Sequence, residues 1–350
     1  MFSLSVYVGL DYHSDTVRVC IMGHDGEELL NRSVRSSVEG VIELIQRSGE
    51  RFGTQAEAMI VEGVAMEACT GSAEFAARLI EATNWTVKLA HASAVHALKK
   101  GPDKTDHGDA WHLANLLRVN YLPEVWLADQ QTRQLRHLIR YRQSLVADAK
   151  DVKLRIRSLL KEDGVLENSG KRPWTKAWQA WLKQIELPEH SQWILREQLS
   201  RLDDLQQRIA TVEQRMQEAT QDDAIVRKLL AQANVGLVTA MLLRAIVGRF
   251  DRFKNGKQLS RYCGLTPQNA SSGKRQADAG LIQAGHPDLR SVLIQMAKRL
   301  PRSDARWKEF HERLRKTKSA NVVSAAIANR WLRRLYHEMV AAETEAAQAA

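Results

Sequence analysis

Cysteine is scarce in this sequence, and the three that it has, Cys20, Cys69 and Cys263, lie far apart with no CxxC pair. The chain therefore predicts neither a disulfide framework nor a zinc site, which suits a protein of the reducing cytoplasm. The N-terminus lacks a basic segment followed by an apolar one and a cleavage site, so we expect no export signal. No apolar run reaches the roughly 18 residues of a membrane span. The best candidate, Val235–Val247, is interrupted by Arg244.

Acidic residues are fewer than basic ones. The chain has 41 Asp and Glu against 51 Lys and Arg, which gives a formal net charge of +10. Such a balance indicates a polyanionic partner, although a soluble basic protein without one has the same composition. Hydrophobic residues make up 44% of the chain and charged residues 26%, so folded cores are expected. The length of 350 residues predicts two or three domains.

Four carboxylates lie where secondary-structure elements are predicted to end or begin. Asp11 closes one apolar run, and Glu67 closes a second, mostly apolar one. Asp106 and Asp109 are spaced i, i+3, which puts them on one face of a helix. Carboxylates gathered in this way can hold two divalent cations about 3.5–4 Å apart, and such a pair promotes phosphodiester chemistry. The four residues predict a metal site, although Asp106 could instead cap the helix.

Strands and helices are predicted to alternate over the first part of the chain in the order βββαβαβα. Hydrophobic patterning predicts strands at 4–10, 17–22, 27–34, 58–66 and 86–90, and helices at 38–46, 73–82 and around Asp106 and Asp109. This is the order of a ribonuclease-H-like (RuvC-like) domain, while strand–helix alternation alone also fits other α/β folds. The acids at the element ends favour the ribonuclease-H-like fold, over a predicted domain of residues 1–165.

A long basic helix is predicted from 132 to 161. Four of its cations fall on one stripe at helical spacing: Lys150, Lys153, Arg157 and Lys161. Such a stripe is often only a solvated face, but beside nuclease-like acids it favours contact with nucleic-acid phosphates. Three tryptophans follow, Trp174, Trp178 and Trp181, and we expect them to pack in a core rather than stack on bases.

A heptad pattern of apolar side chains runs through residues 191–221. Leu202, Ile209 and Met216 repeat every seven residues, with Leu205 and Val212 at the alternate seam position. About three heptads are the minimum for a coiled coil, so the pattern fits either a coil between two chains or a hairpin arm packed within one. Both alternatives predict an assembly segment over residues 166–222.

The remaining residues, 223–350, are predicted to be helical apart from one polar loop. This loop contains Ser271, Ser272, Gly273, Lys274 and Arg275. A serine before a glycine has an exposed hydroxyl on a permissive backbone, and the two cations could neutralise a phosphate that it attacks. Taken alone, the same segment also fits an ordinary turn.

Four short stretches, in their order and spacing, resemble the DEDD-type insertion-sequence transposases of the IS110 family. They are Val8-Gly9-Leu10-Asp11, Met66-Glu67-Ala68-Cys69-Thr70-Gly71, Lys104-Thr105-Asp106-His107-Gly108-Asp109-Ala110, and Gly264-Leu265-Thr266-Pro267 through Ser272-Gly273 to Ala284-Gly285-His286. The resemblance runs from Tyr7 to about Leu314, nearly the whole chain. It implies a RuvC-like metal site that holds Mg²⁺, or alternatively Mn²⁺, on Asp11, Glu67, Asp106 and Asp109. It also implies a C-terminal transposase domain with a serine nucleophile.

The resemblance further implies a DNA recombinase that is guided to donor and target by a non-coding bridge RNA. The serine would attack a DNA phosphodiester and form a covalent phosphoserine link with the help of Mg²⁺. Ser272 fits the family motif better than the neighbouring Ser271, because it directly precedes Gly273. Strand exchange through a Holliday junction, a dimer or a tetramer of two dimers, and a location in the bacterial cytoplasm on nucleoid DNA are implied as well.

Two other interpretations stay open on the residues. A RuvC-like junction resolvase or metal-dependent nuclease would use water as its nucleophile, with Ser272 as a turn residue. A non-enzymatic RNA- or DNA-binding assembly protein would depend on the basic helix and the heptad segment. Its binding would depend steeply on salt and would ignore the loss of Mg²⁺.

Overall fold

The computed structural model describes residues 3–52, 58–99, 105–165, 170–269 and 278–349. The chain forms two compact units, Met1–Ala128 and Asp129–Ala350. Each unit encloses its own hydrophobic core. Within the described ranges, no helix is both long enough and apolar enough to cross a membrane.

The first unit alternates strands and helices around one sheet. Its elements are β1 (Ser3–Tyr12), β2 (Thr16–Gly23), β3 (Glu28–Arg35), α1 (Val38–Phe52), β4 (Ala58–Glu67), α2 (Ser72–Thr83), β5 (Val87–Ala90), α3 (Ala92–Leu98), α4 (Asp106–Arg118) and β6 (Glu124–Val125). The strand order is β3-β2-β1-β4-β5-β6. Strands β3, β2 and β1 are antiparallel neighbours, β1, β4 and β5 run parallel, and β6 is antiparallel to β5.

Helices cover both faces of this sheet. On one face, Val6, Val8 and Leu10 of β1 are fully buried in a core that also contains the apolar sides of α1 and α2. On the other face, α4 packs across β1, β2 and β4. Because successive side chains of a strand point to opposite faces, Gly9 and Asp11 belong to the side that α4 covers.

The mixed α/β architecture predicted for the N-terminal part is confirmed, and each predicted strand and helix is present. Neither α3 nor β6 is predicted from the sequence. These elements are seven and two residues long, which is too short for a hydrophobic period to show.

The second unit is mainly helical, as predicted for the C-terminal part. Its elements are α5 (Gln130–Glu162), α6 (Lys176–Leu182), α7 (Glu189–Glu218), α8 (Ala224–Leu230), α9 (Leu237–Leu242), a π-helical segment (Leu243–Val247), α10 (Gly256–Tyr262), β7 (Pro267–Asn269), β8 (Asp278–Leu281), α11 (Pro287–Ala297), α12 (Leu300–Ser303), α13 (Ala305–Arg315) and α14 (Ala320–Ala349). Strands β7 and β8 pair antiparallel.

The long helices α5 and α7 pack against each other. The heptad residues Leu202, Leu205 and Val212 of α7 are buried in the core that α5 shares. An ion pair of 2.6 Å between Arg142 and Glu213 joins the first part of α5 to the last part of α7, as in an antiparallel hairpin. The heptad stripe is therefore used within the chain, which is one of the two predicted alternatives, and a coiled coil between chains is not confirmed.

By its contacts the chain divides after Ala128, while the predicted domains 1–165, 166–222 and 223–350 stay a prediction. Helix α5, assigned by sequence to the first domain, belongs to the second unit because it packs on α7 and on the π-helical segment. The expected packing role of the tryptophans is confirmed. Trp178 is fully buried, and its ring centroid lies 4.5 Å from that of Trp174 and 5.9 Å from that of Trp181.

Candidate metal centre

Two of the predicted acids lie at or next to the ends of neighbouring parallel strands, Glu67 as the last residue of β4 and Asp11 as the penultimate residue of β1. The register of β1 and β4 pairs Leu10 with Met66, so the next residues along the two strands are Asp11 and Glu67. Neighbouring strands lie about 4.8 Å apart, and residues at equivalent positions point to the same face. Asp11 and Glu67 therefore lie side by side at one edge of the sheet, on the face covered by α4.

The other two acids are in the first turn of α4. Asp106 is its first residue, and Asp109 follows one turn later. Thr105 caps the helix, because its hydroxyl oxygen accepts a hydrogen bond of 3.1 Å from the backbone N–H of Gly108. The alternative that Asp106 serves as the cap is therefore wrong, and its carboxylate is exposed and free of that role. The positive end of the helix dipole stabilises both carboxylates.

A close approach of α4 to β1 brings these acids to the strand ends. A Cβ atom at Gly9 would lie 2.0 Å from the carbonyl oxygen of Ala110 and 2.6 Å from the backbone nitrogen of Ala114. Only glycine fits at this crossing, because each contact is with helix backbone that cannot rotate away. Gly9 thus allows α4 to approach β1 closely, which brings the first turn of α4 near the end of β1.

Asp11, Asp106 and the unpredicted His13 form a compact group whose ligand atoms lie within 4.8 Å of one another. The Nε2 atom of His13 is 3.1 Å from Oδ2 of Asp11 and 3.9 Å from Oδ1 of Asp106. Hydrophobic patterning leaves His13 between the predicted strands at 4–10 and 17–22, with no role assigned to it. The position of His13 two residues after Asp11 is the one feature of the sequence that could have indicated a ligand here. Its ring comes close to Asp11 only through the folded turn between β1 and β2.

Asp109 has a different environment from Asp106. Its side chain is 11% exposed, and its Oδ1 atom is paired with Nζ of Lys99, whose side chain is 15% exposed. An unpaired carboxylate would be costly to bury here, and the ammonium group of Lys99 is its partner. Lys99 follows α3, and no pattern in the sequence indicates that it pairs with the start of α4.

The charges of the cluster act on one another. Burial raises the pKa of Asp11 above its ordinary value of 3.8, the hydrogen bond and charge of His13 lower it, and the charges of Asp109 and Asp106 raise it. Burial also raises the pKa of the Cys69 thiol, and the carboxylates of Glu67 and Asp11 raise it further. Acids this close favour a positive charge among them.

The chemistry of these donors fits a divalent cation. Oxygen ligands from carboxylates suit Mg²⁺ and Mn²⁺, and the imidazole of His13 adds a ligand that suits softer metals such as Ni²⁺. Asp11 and Asp106 are placed to hold such an ion together with His13. Glu67 lies beside Asp11 on the next strand, and Asp109 lies one helical turn from Asp106. The assignment of all four acids as ligands stays a prediction.

Replacing His13 by alanine is expected to lower the affinity for Ni²⁺ by about tenfold or more and the affinity for Mg²⁺ less, since imidazole is a poor ligand for Mg²⁺. Isothermal titration calorimetry with each metal measures both affinities. His24→Ala is the matched control, because His24 is exposed in the turn after β2 and outside the cluster. Equal Ni²⁺ affinity in the two variants would remove His13 from the ligand set.

The predicted phosphate contacts lie on α5. Lys150, Arg157 and Lys161 are exposed, and Lys153 is half-buried with its Nζ atom 5.3 Å from the centre of the Trp174 ring. The stripe faces away from the core because Val152, Ile156 and Leu160 of the same helix are fully buried. Its role in binding nucleic acid stays a prediction. The other predicted residues, Ser271, Ser272, Lys274 and Arg275, lie outside the described residues.

The chain matches two models of transposase families. Residues 8–163 match the DEDD transposase model of the IS110 group, described as "Transposase", and residues 226–312 match "Transposase IS116/IS110/IS902 family". A "Probable family 20 transposase" of Pseudomonas aeruginosa is 33% identical over 78% of this chain and 82% of its own length. The transposase of insertion sequence IS1328 from Yersinia enterocolitica is 26% identical, over 77% of this chain and 81% of its own.

The transposase of insertion sequence IS1111A from Coxiella burnetii is also similar, with 23% identity over 84% of this chain and 78% of its own. The family matches, together with an α/β first unit and a helical second unit, place the chain in the class of DNA-processing transposases of the DEDD type. The chain belongs to the IS110 family of insertion-sequence transposases. Membership of a DEDD family implies the use of a divalent metal.

Proposed function

We propose that this transposase is an RNA-guided recombinase that exchanges DNA strands through a covalent phosphoserine intermediate, with Mg²⁺ held by its acidic cluster. The observation that carries the metal part of the proposal is the meeting of Asp11 and Asp106 within one group of ligand atoms. These residues come from a strand end and a helix start separated by more than ninety positions in the chain. Surface acids without a function have no need to converge in this way.

The topology of the first unit supports a ribonuclease-H-like assignment. Three antiparallel strands are followed by two parallel ones, and Asp11 is the penultimate residue of the central strand β1. The acid on the neighbouring parallel strand and the acids at the start of α4 then face the same edge. This is the arrangement that the resemblance to RuvC-like domains implies.

The residues of the cluster have distinct parts in the proposed reaction. A bound pair of divalent cations would help to activate a nucleophile on phosphorus and to stabilise the leaving oxygen. Asp11 and Asp106 provide the nearest carboxylates, and Glu67 extends the site along the sheet edge. Lys99 pairs with Asp109 and fixes its position at the start of α4.

The proposed covalent step is a transesterification at Ser272. The Oγ–phosphorus bond forms as the bond from phosphorus to one deoxyribose oxygen breaks. The serine loses its proton to a base, and the leaving deoxyribose oxygen takes one up. Attack by the hydroxyl of another strand reverses the step and reseals the backbone, so no phosphodiester is lost. Lys274 and Arg275, next in sequence, supply positive charge for the phosphate.

The proposal includes a bridge RNA and a homo-oligomer. The net charge of +10 and the exposed cations of α5 suit a complex with two kinds of nucleic acid. The long hairpin of α5 and α7 leaves Trp193 and Ile194 at the start of α7 exposed, with relative exposures of 63% and 37%. These side chains are candidates for contact with a second copy of the chain.

Ser272→Ala is expected to abolish a covalent protein–DNA adduct while the protein stays folded. Purified protein is incubated with Mg²⁺, labelled element-junction DNA and RNA transcribed from the flank of the element, and the products are separated on a denaturing gel. Ser271→Ala is the matched control, because it removes a hydroxyl from the adjacent residue.

The products of this assay separate the possible reactions. An adduct that disappears in Ser272→Ala alone supports the serine mechanism, and its dependence on the added RNA tests the guide. Cleaved DNA without an adduct would replace the proposal with a nuclease that uses water. An adduct that is lost in Ser271→Ala and kept in Ser272→Ala would move the nucleophile by one residue.

A further inference from the structure

A basic pocket of about 420 Å³ lies in the second unit between α10, α13 and α14. Its lining includes five cationic side chains and one histidine: Lys257, Arg306, Arg330, Arg333, Arg334 and His337. All six side chains are exposed to solvent. None of them belongs to the residues that the sequence analysis assigned to nucleic-acid binding, and the transposase chemistry described above does not use them.

The pocket is built on one face of α14. Arg330, Arg333, Arg334 and His337 are spaced i, i+3, i+4 and i+7, so they line one side of the helix. The opposite side is anchored by Leu332 and other apolar residues in the core. The arginines are thus presented by a rigid element rather than by a loop.

A close approach between α10 and α14 forms the floor of the pocket. A Cβ atom at Gly256 would lie 2.8 Å from the carbonyl oxygen of Arg333 and 2.9 Å from its Cα atom. This glycine therefore lets the two helices come together directly beneath the arginine side chains. The same contact places Lys257, the next residue of α10, at the rim.

The positive charge of this pocket is poorly balanced by the protein. Arg334 pairs with Glu338 at 3.1 Å, and within the described parts of the chain no other ion pair involves the six residues. Arg330 lies 4.9 Å from the centre of the Phe310 ring, which orients its guanidinium without neutralising it. Several cations this close repel one another, so an anion that bridges them would be bound favourably.

We infer that this pocket binds phosphates of the DNA backbone. Guanidinium groups match phosphate oxygens with paired hydrogen bonds, and several on one helix face can contact successive phosphates. The lining is mostly polar and charged, unlike the largely apolar walls of a site for a small organic ligand. DNA is the polyanion on which a transposase acts, so we assign the pocket to DNA rather than to RNA.

The test uses a triple variant, Arg330→Gln, Arg333→Gln and Arg334→Gln, in the full chain. Binding of a labelled 30-base-pair duplex, a length of about three helical turns, is measured by fluorescence anisotropy in EDTA over a series of salt concentrations. Each phosphate contact contributes about −0.9 to the slope of log K against log salt, so the slope is expected to become less negative by about 2–3. The affinity at low salt is expected to fall on the order of tenfold or more.

The matched control replaces three exposed arginines of α7, Arg196, Arg201 and Arg215, by glutamine and removes the same net charge. A second variant, Arg330→Lys, Arg333→Lys and Arg334→Lys, keeps the charge and is expected to keep the salt slope. If the glutamine variant loses its cooperative thermal transition, Arg333→Gln alone replaces it, with an expected slope change of about 0.9.

Equal losses in the pocket variant and the α7 variant would overturn the proposal, because they would reflect net charge alone. Unchanged binding of DNA with weakened binding of a single-stranded RNA of the same length would also overturn it and assign the pocket to RNA. If the pocket variant alone loses affinity for duplexes of two unrelated sequences, the result supports contact between the pocket and the DNA backbone. Because binding is measured in EDTA, without metal, this result is independent of whether the proposed phosphoserine reaction is correct.

Discussion

Asp11→Asn is expected to abolish metal-dependent DNA strand cleavage while the first unit stays folded. Asparagine has nearly the same shape but removes the charge that faces Asp106 and His13 across the cluster. A carboxylate-bound cation contributes several kcal/mol to phosphodiester chemistry, so the rate should fall by about 10³-fold or more. Cleavage of labelled junction DNA in Mg²⁺ measures the rate, and calorimetry measures the loss of metal affinity.

The same variant has an expected effect on stability with a definite sign. The folded pKa of Asp11 is raised, chiefly by burial, so protonated Asp11 stabilises the folded state below its ordinary pKa of 3.8. That contribution is lost as the pH rises through the raised value, and at neutral pH the carboxylate opposes folding. In EDTA at pH 7, Asp11→Asn should therefore unfold at the same temperature as the wild type or at a higher one.

Asp15→Asn is the matched control, because Asp15 is exposed in the turn after β1 and outside the cluster. It is expected to leave cleavage, metal affinity and thermal stability unchanged. If Asp11→Asn collapsed the thermal transition, the residue would have a structural role. If it cleaved DNA at the rate of the control, Asp11 would be excluded from the metal site.

Gly9→Ala is expected to have the second large effect, on stability and on the cluster together. The new methyl carbon would lie 2.0 Å from the carbonyl oxygen of Ala110, so α4 must move away from β1. Overpacking against a backbone that cannot rotate costs about 3 kcal/mol. Because Asp106 and Asp109 are in the first turn of α4, the shift also draws them away from Asp11 and weakens metal binding.

Denaturant unfolding monitored by circular dichroism, together with calorimetry for Mg²⁺ or Mn²⁺, checks both parts of this expectation. Gly49→Ala is the matched control. Gly49 lies inside α1, where the nearest atom to an added Cβ would be the flexible Cε end of Met59 at 3.3 Å, followed by the Cβ atom of Met59 at an ordinary contact distance of 3.6 Å. Alanine favours the helix there by up to about 1 kcal/mol, so the control should be neutral or stabilising. Equal stability of the two variants would contradict the close packing of α4 on β1.

Much of the first unit could be predicted because its signals are local. The alternation of Val6, Val8 and Leu10 marks a strand with one buried face, and the polar residue that ends the run marks its end. The i, i+3 spacing of Asp106 and Asp109 places both acids on one face of a helix. The four acids at predicted element ends therefore predict a metal site from sequence, and the structure brings two of them, Asp11 and Asp106, into one group of ligand atoms.

Other residues of the site could not be predicted, because their roles depend on contacts between distant parts of the chain. Lys99 meets Asp109 only after α3 and α4 have folded against the sheet. His13 reaches Asp11 and Asp106 only through the turn after β1. Hydrophobic periodicity does not predict such contacts, because each one depends on the position of a chain segment in the folded protein rather than on the local conformation of that segment.

By itself, the sequence determined the element types, the acids at their ends and the excess of positive charge, because hydrophobic period and composition act locally. It also determined the family, through short motifs whose order and spacing are kept over most of the chain. The tertiary structure alone decided that α7 buries its heptad stripe within the chain and that Gly9 sets the position of α4. It alone gathered the arginines of α14 with Lys257 and Arg306 into one pocket. These features depend on the packing of helices and strands far apart in sequence, which only the completed fold fixes.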